Sequence, residues 1–465
     1  MSSHFAIFLS LKYNFSYPVR SPHQRCGSYQ RQLTSNGAYR DMIKQRPPKF
    51  KSSFSIDGKG MIDLACALIS KKTINLPGDE YLVKDIVVKS MKELGMKVKI
   101  FGDKKRPNIL GEIGNGHPSI AILCHMDVVP PGRDWKTDPF RPTIKNGRLY
   151  GRGACDDKGP YAASWAAIKA VLQKGKPKGK IILGAVADEE RGSEKGIKLL
   201  LKKKILDCDF CLIPDGGRID EAVIGEKGML WLKFVSIGKS AHGSNPEKGV
   251  NAITNMTQFL SNIIKLKINT PLEVFIPLEI KFLTGQAKCA AVPTSCRDLL
   301  LTGFTPMTIN LGEIKGGDAP NIVPSYCEAT IDIRYPLGIK KKEIMEKIKL
   351  LMNSFNKNRG KIILKEIIQD TLPHLLDIKA HPFLKTFLEA SKETGEKMKF
   401  VTIGGNSVGK LLYFAGIPSF SHSPEDIPTA HQANESVSLK NLQRCAILWA
   451  KFLEKILNDR VKGTK

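Results

Sequence analysis

Two short segments of the sequence carry a histidine and three aspartates, residue types that can bind a metal ion together. His125 and Asp127 come directly after residues 120–124, an apolar run typical of a buried parallel strand. Residues two apart in an extended chain point to the same side, so Asp127 can orient the His125 imidazole toward a metal. Asp156 and Asp157 lie on a glycine-rich turn before an alanine-rich helix. Together the two segments predict a shared cation.

Each segment also has a purely structural explanation. His125 alone could end a core strand, and an aspartate before a helix commonly caps its first turn. The occurrence of both segments in this order favours the metal site over these two coincidences.

Further side chains could complete the site. Glu189 and Glu190 are adjacent at the end of a predicted strand, and adjacent residues of an extended chain diverge. One carboxylate can therefore bind a metal while the other faces a substrate and transfers protons. A loop near the carboxyl terminus contains His422 and His431, and it could supply a last imidazole.

The composition is that of a globular protein with two domains. The chain has 465 residues, more than one average domain, and no apolar run approaches the roughly 18 residues that span a bilayer. The net charge of +27 comes from lysines scattered along the chain, so we expect no specific nucleic-acid partner and no membrane partner. The ten cysteines, including the pair Cys208 and Cys211, suit buried thiols in a cytoplasmic protein.

Residues 1–57 differ from the rest of the chain. The first forty contain no Asp or Glu, five Lys or Arg and seven Ser. We interpret this basic extension as a disordered tail or an over-extended gene start, because prolines interrupt it and no amphipathic helix is evident. An organellar transit peptide is the alternative, and it would change the expected location.

From Met61 onward, predicted helices and strands alternate. Alternation of this kind predicts an α/β domain with a mostly parallel sheet, which gathers ligands at the carboxyl ends of its strands. We expect this domain to comprise residues 61–228 and 370–460. The elements predicted within 229–369 follow the order βαββαβ of a ferredoxin-like module, although residues 266–306 fit no regular element.

Seven segments in this order resemble one zinc-exopeptidase family, which includes acetylornithine deacetylase, succinyl-diaminopimelate desuccinylase, carboxypeptidases and bacterial dipeptidases. The resemblance covers about residues 61–460 and rests on CHMDVVPPG, GRGACDDKG, ADEE, PDGG, GKSAHGSNPEKGVNA, GGDAPNIVPSYCEATIDIRYP and AHQANE. It implies a zinc-peptidase-like catalytic domain with the ferredoxin-like α+β module inserted as a lid and dimerisation domain.

Matched residue by residue, the resemblance implies a site for two divalent metal ions, with zinc expected and cobalt or manganese as alternatives. Asp156 would bridge the two ions. His125 and Asp215 would bind one ion, and Glu190 and His431 would bind the other.

The resemblance also implies two catalytic roles beside the ligands. Asp127 would orient His125, and Glu189 would be the general base that takes a proton from water and passes it to the leaving amine. Two divalent ions would lower the pKa of water and polarise the scissile carbonyl. His431 is preferred to His422 because only His431 precedes the Asn-Glu pair that the family carries.

Substrate contacts are implied in the inserted module and in one loop of the catalytic domain. His242 would donate to the developing oxyanion, Arg334 would bind a substrate carboxylate, and Asn321 would add a hydrogen bond. Gly405 and Asn406 belong to the carboxylate loop, which has Gly-Gly-Asn-Ser where relatives often have Gly-Gly-Thr. Relatives of this compact type often dimerise through the lid, which makes a homodimer an expectation and leaves His242 to act in either subunit.

The expected reaction is hydrolysis of an amide bond next to a free carboxylate, in a dipeptide or an N-acyl amino acid. Asp215 and the Asp-Asp-Lys-Gly-Pro sequence from Asp156 are commoner in dipeptidase relatives, whereas the compact length favours acetylornithine deacetylase or succinyl-diaminopimelate desuccinylase. A non-catalytic binding module on the same fold is the alternative of another class. The hydrolase is favoured because no ligand is missing and Glu189 is present.

Overall fold

Two sheets, each packed against its own helices, organise the chain. The computed structural model describes residues 54–268, 306–358, 361–405 and 407–458. One sheet has nine strands and the other has four, and a three-stranded ribbon joins the loops near the predicted site. We refer to the two larger assemblies as the nine-stranded unit and the four-stranded unit.

The elements are numbered along the chain. The strands are β1 (Lys97–Gly102), β2 (Pro107–Gly114), β3 (Ser119–His125), β4 (Thr143–Lys145), β5 (Arg148–Tyr150), β6 (Lys180–Val186), β7 (Phe210–Ile213), β8 (Glu221–Glu226), β9 (Gly228–Ile237), β10 (Thr308–Gly316), β11 (Tyr326–Tyr335), β12 (Lys361–Thr371), β13 (His374–Leu375), β14 (Lys399–Ile403), β15 (Ser419–Ser421) and β16 (Ser436–Ser438). The α-helices are α1 (Gly58–Ile69), α2 (Tyr81–Glu93), α3 (Lys158–Leu172), α4 (Ile197–Lys202), α5 (Ala252–Ile264), α6 (Lys341–Asn358), α7 (Pro382–Glu393), α8 (Val408–Phe414) and α9 (Leu439–Asn458).

The nine-stranded sheet is mixed. Its strand order is β1-β2-β6-β3-β7-β15-β8-β13, and β14 pairs with β8. The pairs β3–β6, β3–β7, β7–β15 and β8–β14 are parallel, whereas β1–β2, β2–β6, β8–β15 and β8–β13 are antiparallel. The α/β prediction is confirmed, but the expectation of a mostly parallel sheet was wrong. The antiparallel pairs β1–β2 and β8–β13 lie at the sheet edges. The loop between β1 and β2 is too short for the crossover that a parallel pair requires.

Helices bury both faces of the central strands. On β3, Ile120 and Ile122 contact the core that includes α1, α2, α3, α7 and α9, while Ala121 and Leu123 contact the core that includes α4 and α8. Successive side chains of a strand point to opposite faces, so a strand covered on both faces must be apolar throughout. This explains the continuous apolar run before His125.

The four-stranded sheet is antiparallel and has the order β10-β11-β9-β12. Its core contains alternate residues of β9, among them Leu232 and Phe234, packed against residues of α5 such as Met256 and Phe259. Within the described residues, the elements of this unit follow the order βαββαβ, as in a ferredoxin-like module. Residues 269–305, most of the segment predicted to be irregular, lie outside the described residues.

The folded chain begins before the boundary predicted for the basic extension. Phe54 is buried in the core of the nine-stranded unit, and the Asp57 side chain caps α1 by accepting a hydrogen bond from the amide of Gly60. Residues 54–57 therefore belong to the folded nine-stranded unit, with Phe54 in its core. Residues 1–53, the rest of the predicted extension, lie outside the described residues.

Helix α9 closes the nine-stranded unit. One side of the helix buries Trp449, Phe452 and Leu453, while Lys451 and Lys455 form ion pairs on its outer side. Within the described residues, none of the helices combines the length and the hydropathy needed to cross a bilayer.

A matched pair of leucine substitutions tests this packing. Leu453→Ala should lower the free energy of unfolding by about 2–5 kcal/mol, because Leu453 is fully buried and its removal leaves a cavity. Leu350→Ala on α6 is the control, since that side chain is 67% exposed, and it should change stability by less than about 0.5 kcal/mol. Thermal or denaturant melts measure both, and equal shifts would contradict the assigned core.

Candidate metal centre

The predicted site residues meet at one edge of the nine-stranded sheet. His125 ends β3, Glu189 and Glu190 follow β6 by a few residues, and Asp215 follows β7. Strands β3, β6 and β7 are parallel neighbours, so their carboxyl ends lie at the same edge. The fold thus brings together side chains that are up to 90 residues apart in the sequence.

His125 is oriented by a hydrogen bond to the main chain. Its Nδ1 lies 2.9 Å from the carbonyl oxygen of Asp127, whereas the nearer carboxylate oxygen of Asp127 is 3.6 Å away. Its Nε2 lies 2.6 Å from Oδ1 of Asp156. Nδ1 therefore donates to the carbonyl, and Nε2 is the atom that faces the other candidate ligands.

The Asp127 carboxylate instead holds the two glutamates. Asp127 is fully buried, and it accepts hydrogen bonds of 3.1 Å from the amides of both Glu189 and Glu190. The side chain of Asn75 donates to the same carboxylate at 2.8 Å. Burial opposes the charged form, but His125 and these donors outweigh it and lower the pKa of Asp127. Asp127 therefore fixes the backbone that presents Glu189 and Glu190.

His431 reaches the same cluster from the loop before β16. Its Nε2 lies 3.1 Å from Oδ2 of Asp156 and 3.0 Å from Oε2 of Glu190, and its side chain is 55% exposed. Hydrogen bonds to these two carboxylates raise the pKa of His431 to about 10. Potential ligand atoms of His125, Asp156 and Glu190 all lie within 4.8 Å of one another. Four of the five predicted ligands thus surround one small volume.

The fifth predicted ligand and the predicted base line an adjoining cavity. Asp215, Glu189, Asp157 and His125 contribute its polar lining, and apolar side chains such as Val408 complete it. Burial, with the charge of Asp156, raises the pKa of Asp215 to about 7. Burial also raises the pKa of Glu189 well above its usual value. At both carboxyls, burial and the neighbouring carboxylates therefore outweigh the opposing charge of His125.

This environment fits divalent metal ions. Imidazole nitrogens and carboxylate oxygens are ligands that zinc accepts, and the buried carboxylates outnumber the histidines. Burial disfavours a charged imidazole, yet Asp156 and Asp127 raise the pKa of His125 well above its usual value. The Oδ1 atom of Asp157 is buried and has no hydrogen-bond partner within the described residues. A cation would compensate this concentration of negative charge.

Glu435 anchors the segment that carries Asp156, and the sequence analysis did not identify it. Its buried carboxylate accepts hydrogen bonds from the amides of Gly153 (3.1 Å), Cys155 (3.0 Å) and Asp156 (3.3 Å). It also pairs with Arg152 at 2.6 Å. Since Glu435 follows His431 by four residues, it ties the loop of one candidate ligand to the loop of another. Its place in the AHQANE segment was the available signal.

A second network of buried charged side chains, which the sequence analysis also missed, holds the residue that precedes Glu189. Arg106 donates to Glu80 at 2.6 Å and to Asp188 at 2.9 Å. Asp188 directly precedes Glu189 and has a φ of +63°, which is uncommon for a residue other than glycine. The paired arginine stabilises this conformation and hence the position of Glu189.

The predicted substrate residues are only partly connected to this cluster. His242 and Asn321 are neighbours in the four-stranded unit, where the amide of Gly243 donates to the Asn321 carbonyl at 2.7 Å. Among the described residues, no hydrogen bond joins either of them to the candidate ligands. Arg334 contacts the carboxylate loop, since its Nη1 donates to the carbonyl of Gly404 at 3.1 Å. Gly405 is exposed in that loop, and Asn406 lies outside the described residues.

His422, the alternative to His431, is a core residue. Its Nε2 donates to the carbonyl of Ile219 at 3.1 Å, and its Nδ1 accepts from the indole of Trp449 at 3.0 Å. Burial lowers the pKa of His422 to about 4. Both ring nitrogens are therefore occupied in a neutral imidazole that is unavailable to a metal.

Comparisons with known proteins point to one family. The model of peptidase family M20/M25/M40 matches residues 121–455. An uncharacterized metallohydrolase of Methanocaldococcus jannaschii is 31% identical over 375 residues, which cover 75% of this chain and 84% of the relative. A succinyl-diaminopimelate desuccinylase of Wolbachia pipientis is 28% identical over 418 residues, which cover 86% of this chain and 95% of the relative.

A solved structure shares the fold. The M20 family metallo-carboxypeptidase from Sulfolobus solfataricus aligns with a TM-score of 0.68 at 22% identity, covering 85% of this chain and 99% of that one. The family match, the relatives and the cluster of ligand atoms lead to the same conclusion. The chain belongs to peptidase family M20/M25/M40, and it is a metallohydrolase that acts on amide bonds.

Proposed function

We propose that the protein hydrolyses the amide bond of a dipeptide or an N-acyl amino acid and releases an amino acid with a free carboxylate. The observation that carries this proposal is the convergence of His125, Asp156, Glu190 and His431 on one volume, with Glu189 in the adjoining cavity. The relatives include a succinyl-diaminopimelate desuccinylase, and removal of an N-succinyl group is amide hydrolysis of this kind.

In this proposal two zinc ions occupy the site. Asp156 would be shared by both ions, His125 and Asp215 would hold one ion, and Glu190 and His431 would hold the other. When bound, two such ions would supply a lowered pKa for water and polarisation of the scissile carbonyl. The two oxygens of Asp156 support the bridging role, because Oδ1 faces His125 and Oδ2 faces His431.

Glu189 is the proton carrier in this proposal. Burial raises its pKa, and the charges of Asp215 and Glu190 add to the rise, against the opposing charge of His125. A carboxyl with raised proton affinity is suited to take a proton from water and to donate it to the leaving amine. The hydrogen bond from its amide to Asp127 holds the residue in place during both transfers.

Arg334 is the proposed partner of the substrate carboxylate. Its Nε donates to Asp332 at 2.8 Å and its Nη1 donates to Gly404 at 3.1 Å. Within the described residues its Nη2 has no hydrogen-bond partner. A guanidinium held on two sides in this way can offer its remaining donors to a carboxylate with little loss of side-chain entropy.

We further propose that the four-stranded unit acts as a lid. The candidate ligands belong to the nine-stranded unit and its ribbon loop, whereas His242, Asn321 and Arg334 belong to the four-stranded unit. His242 is exposed, and its Nδ1 is engaged by Ser244 at 2.7 Å, which leaves Nε2 for the substrate. His242 would act in the site of its own subunit or, in a dimer formed through the lid, in the site of the partner subunit.

A substrate panel tests the proposed function. The zinc-loaded protein should hydrolyse at least one class among dipeptides, N-acetyl amino acids and N-succinyl amino acids. Amidation of the substrate carboxylate should lower kcat/KM by about 10-fold or more, because an ionised carboxylate gains about 1.5–3 kcal/mol from a charged donor. Equal rates on the free acids and their amides would contradict the proposed substrate class.

Substitution of the adjacent glutamates separates base from ligand. Glu189→Gln should keep the bound zinc but lower kcat by about 10²–10⁴-fold, because only the proton carrier is lost. Glu190→Gln should weaken zinc binding, since the amide is a poorer ligand. Elemental analysis and steady-state kinetics of both variants measure the difference. Loss of zinc from Glu189→Gln, with zinc retained by Glu190→Gln, would reverse the two assignments.

Glu435→Gln tests the anchor of the ligand loops. The amide group cannot accept all the bonds that Arg152 and the three backbone amides donate, so zinc affinity should fall by about 10–100-fold. Asp426→Asn is the matched control, because Asp426 pairs with Arg148 on the same ribbon and does not touch the Asp156 loop. Competition with a zinc chelator measures both affinities. An unchanged affinity in Glu435→Gln would remove Glu435 from the account.

A further inference from the structure

Two short connections join the two units, and they lie side by side. On the outward path, Lys227 alone separates β8 from β9. On the return path, two residues separate β12 from β13. Met229 pairs with Thr371 on one side of the junction, and Glu226 pairs with His374 on the other. Any change in the angle between the units must bend this two-stranded junction.

Lys410 contacts both connections from α8. Its side chain is 1% exposed, and its ammonium donates to the carbonyl of Lys227 and to the hydroxyl of Thr371. It also lies 3.6 Å from the carboxylate of Glu226. The established and proposed chemistry leaves this buried cation without a role.

The partner of Lys410 is attached to the carboxylate loop. Glu226 accepts two hydrogen bonds from Ser407, from its amide at 3.1 Å and from its hydroxyl at 2.6 Å. Ser407 in turn caps α8 by accepting a hydrogen bond from the amide of Gly409. One continuous set of contacts therefore runs from the junction through Lys410 and Glu226 to the residue that ends the loop.

The other end of the same loop contacts the four-stranded unit. The carbonyl of Gly404 accepts from Arg334, and the amide of Lys227 donates to the carbonyl of Ile403 at 3.0 Å. Burial lowers the pKa of Lys410 to about 8 against the opposing charge of Glu226, and nearby Arg334 contributes to the lowering. The two cations are thus close enough to interact, although only Arg334 is partly exposed.

The packing at the junction leaves little freedom around these contacts. The Tyr335 hydroxyl donates to the carbonyl of Thr371 at 3.1 Å. A Cβ atom at Gly228 would lie 2.4 Å from the Tyr335 ring, so only glycine fits at this point. The strand that carries Arg334 is therefore held against the same connection that Lys410 binds.

We propose that Lys410 is a positioning residue for substrate recognition, which sets Ser407, at the end of the carboxylate loop, and Arg334 in register with the junction between the two units. This inference rests on the proposed function, because it assumes that the loop and Arg334 bind a substrate carboxylate. Lys410 itself does not touch the substrate. It aligns two elements of the binding site that come from different units.

The test compares KM for free-acid substrates and for their carboxyl amides. Lys410→Met should raise KM for the free acid by about 10-fold, because the carboxylate contacts lose their alignment, while kcat and KM for the amide change by less than about 2-fold. The double variant Glu226→Gln with Lys410→Met should recover stability, since it leaves no buried unpaired charge, but it should keep the raised KM. Ser407→Ala breaks the same set of contacts at its other end and should raise the same KM.

A control variant separates positioning from general effects on the lid. Lys341 pairs with Asp370 on β12, next to Thr371, but this pair is exposed. Lys341→Met should therefore leave both KM values unchanged. Zinc content and melting temperature are measured for every variant.

Three outcomes would overturn parts of the account. A wild-type protein without preference for the free acid would refute the proposed substrate class and, with it, the role of Lys410. A wild-type preference that survives in the double variant and in Ser407→Ala would refute the role of Lys410 alone. An equal rise in KM for acid and amide would likewise show a merely structural residue.

Discussion

Concentrated negative charge at the carboxyl edge of the nine-stranded sheet is the constraint on which the other features depend. Six carboxyl groups meet His125 and His431 there, and two of the six, Asp127 and Asp157, are fully buried: Asp127, Asp156, Asp157, Glu189, Glu190 and Asp215. Burying charges without compensation costs several kcal/mol for each ion. Raised pKa values at Glu189, Asp157 and Asp215 are the direct result of this burial. Divalent cations are the natural compensation, and they also supply the chemistry of the family.

The surrounding structure holds these groups in place through backbone amides and buried cations. Asp127 and Glu435 each accept several amide hydrogen bonds, and Arg106 and Arg152 each pair with a buried carboxylate. Lys158 lies fully buried behind the site, where its ammonium donates to the Lys71 carbonyl. Gly153 makes room for it, because a Cβ atom there would lie 2.9 Å from Lys158 Cδ. These hydrogen bonds and ion pairs therefore hold the segments that carry the candidate ligands.

Much of this site could be predicted from the sequence, because its residues follow strands in recognisable patterns. His125 and Glu189 were predictable from the apolar runs before them, since parallel strands end at one edge. The AHQANE segment was the signal for Glu435, but Arg106 was not predictable, because its partners are far away in the sequence and no local pattern marks a buried ion pair. The same reason hides Lys410, whose contacts with Lys227 and Thr371 exist only after both units have folded. The mixed sheet was missed because no local pattern shows whether strands that are far apart in the sequence, such as β2 and β6, pair in parallel or antiparallel.

The central claim is that this edge holds two metal ions that share Asp156. Anomalous diffraction from crystals of the zinc-loaded protein tests it most directly. The account predicts two zinc peaks, one beside His125 and Asp215 and the other beside Glu190 and His431, with Asp156 between them. A single peak, or zinc bound away from Asp156, would contradict it.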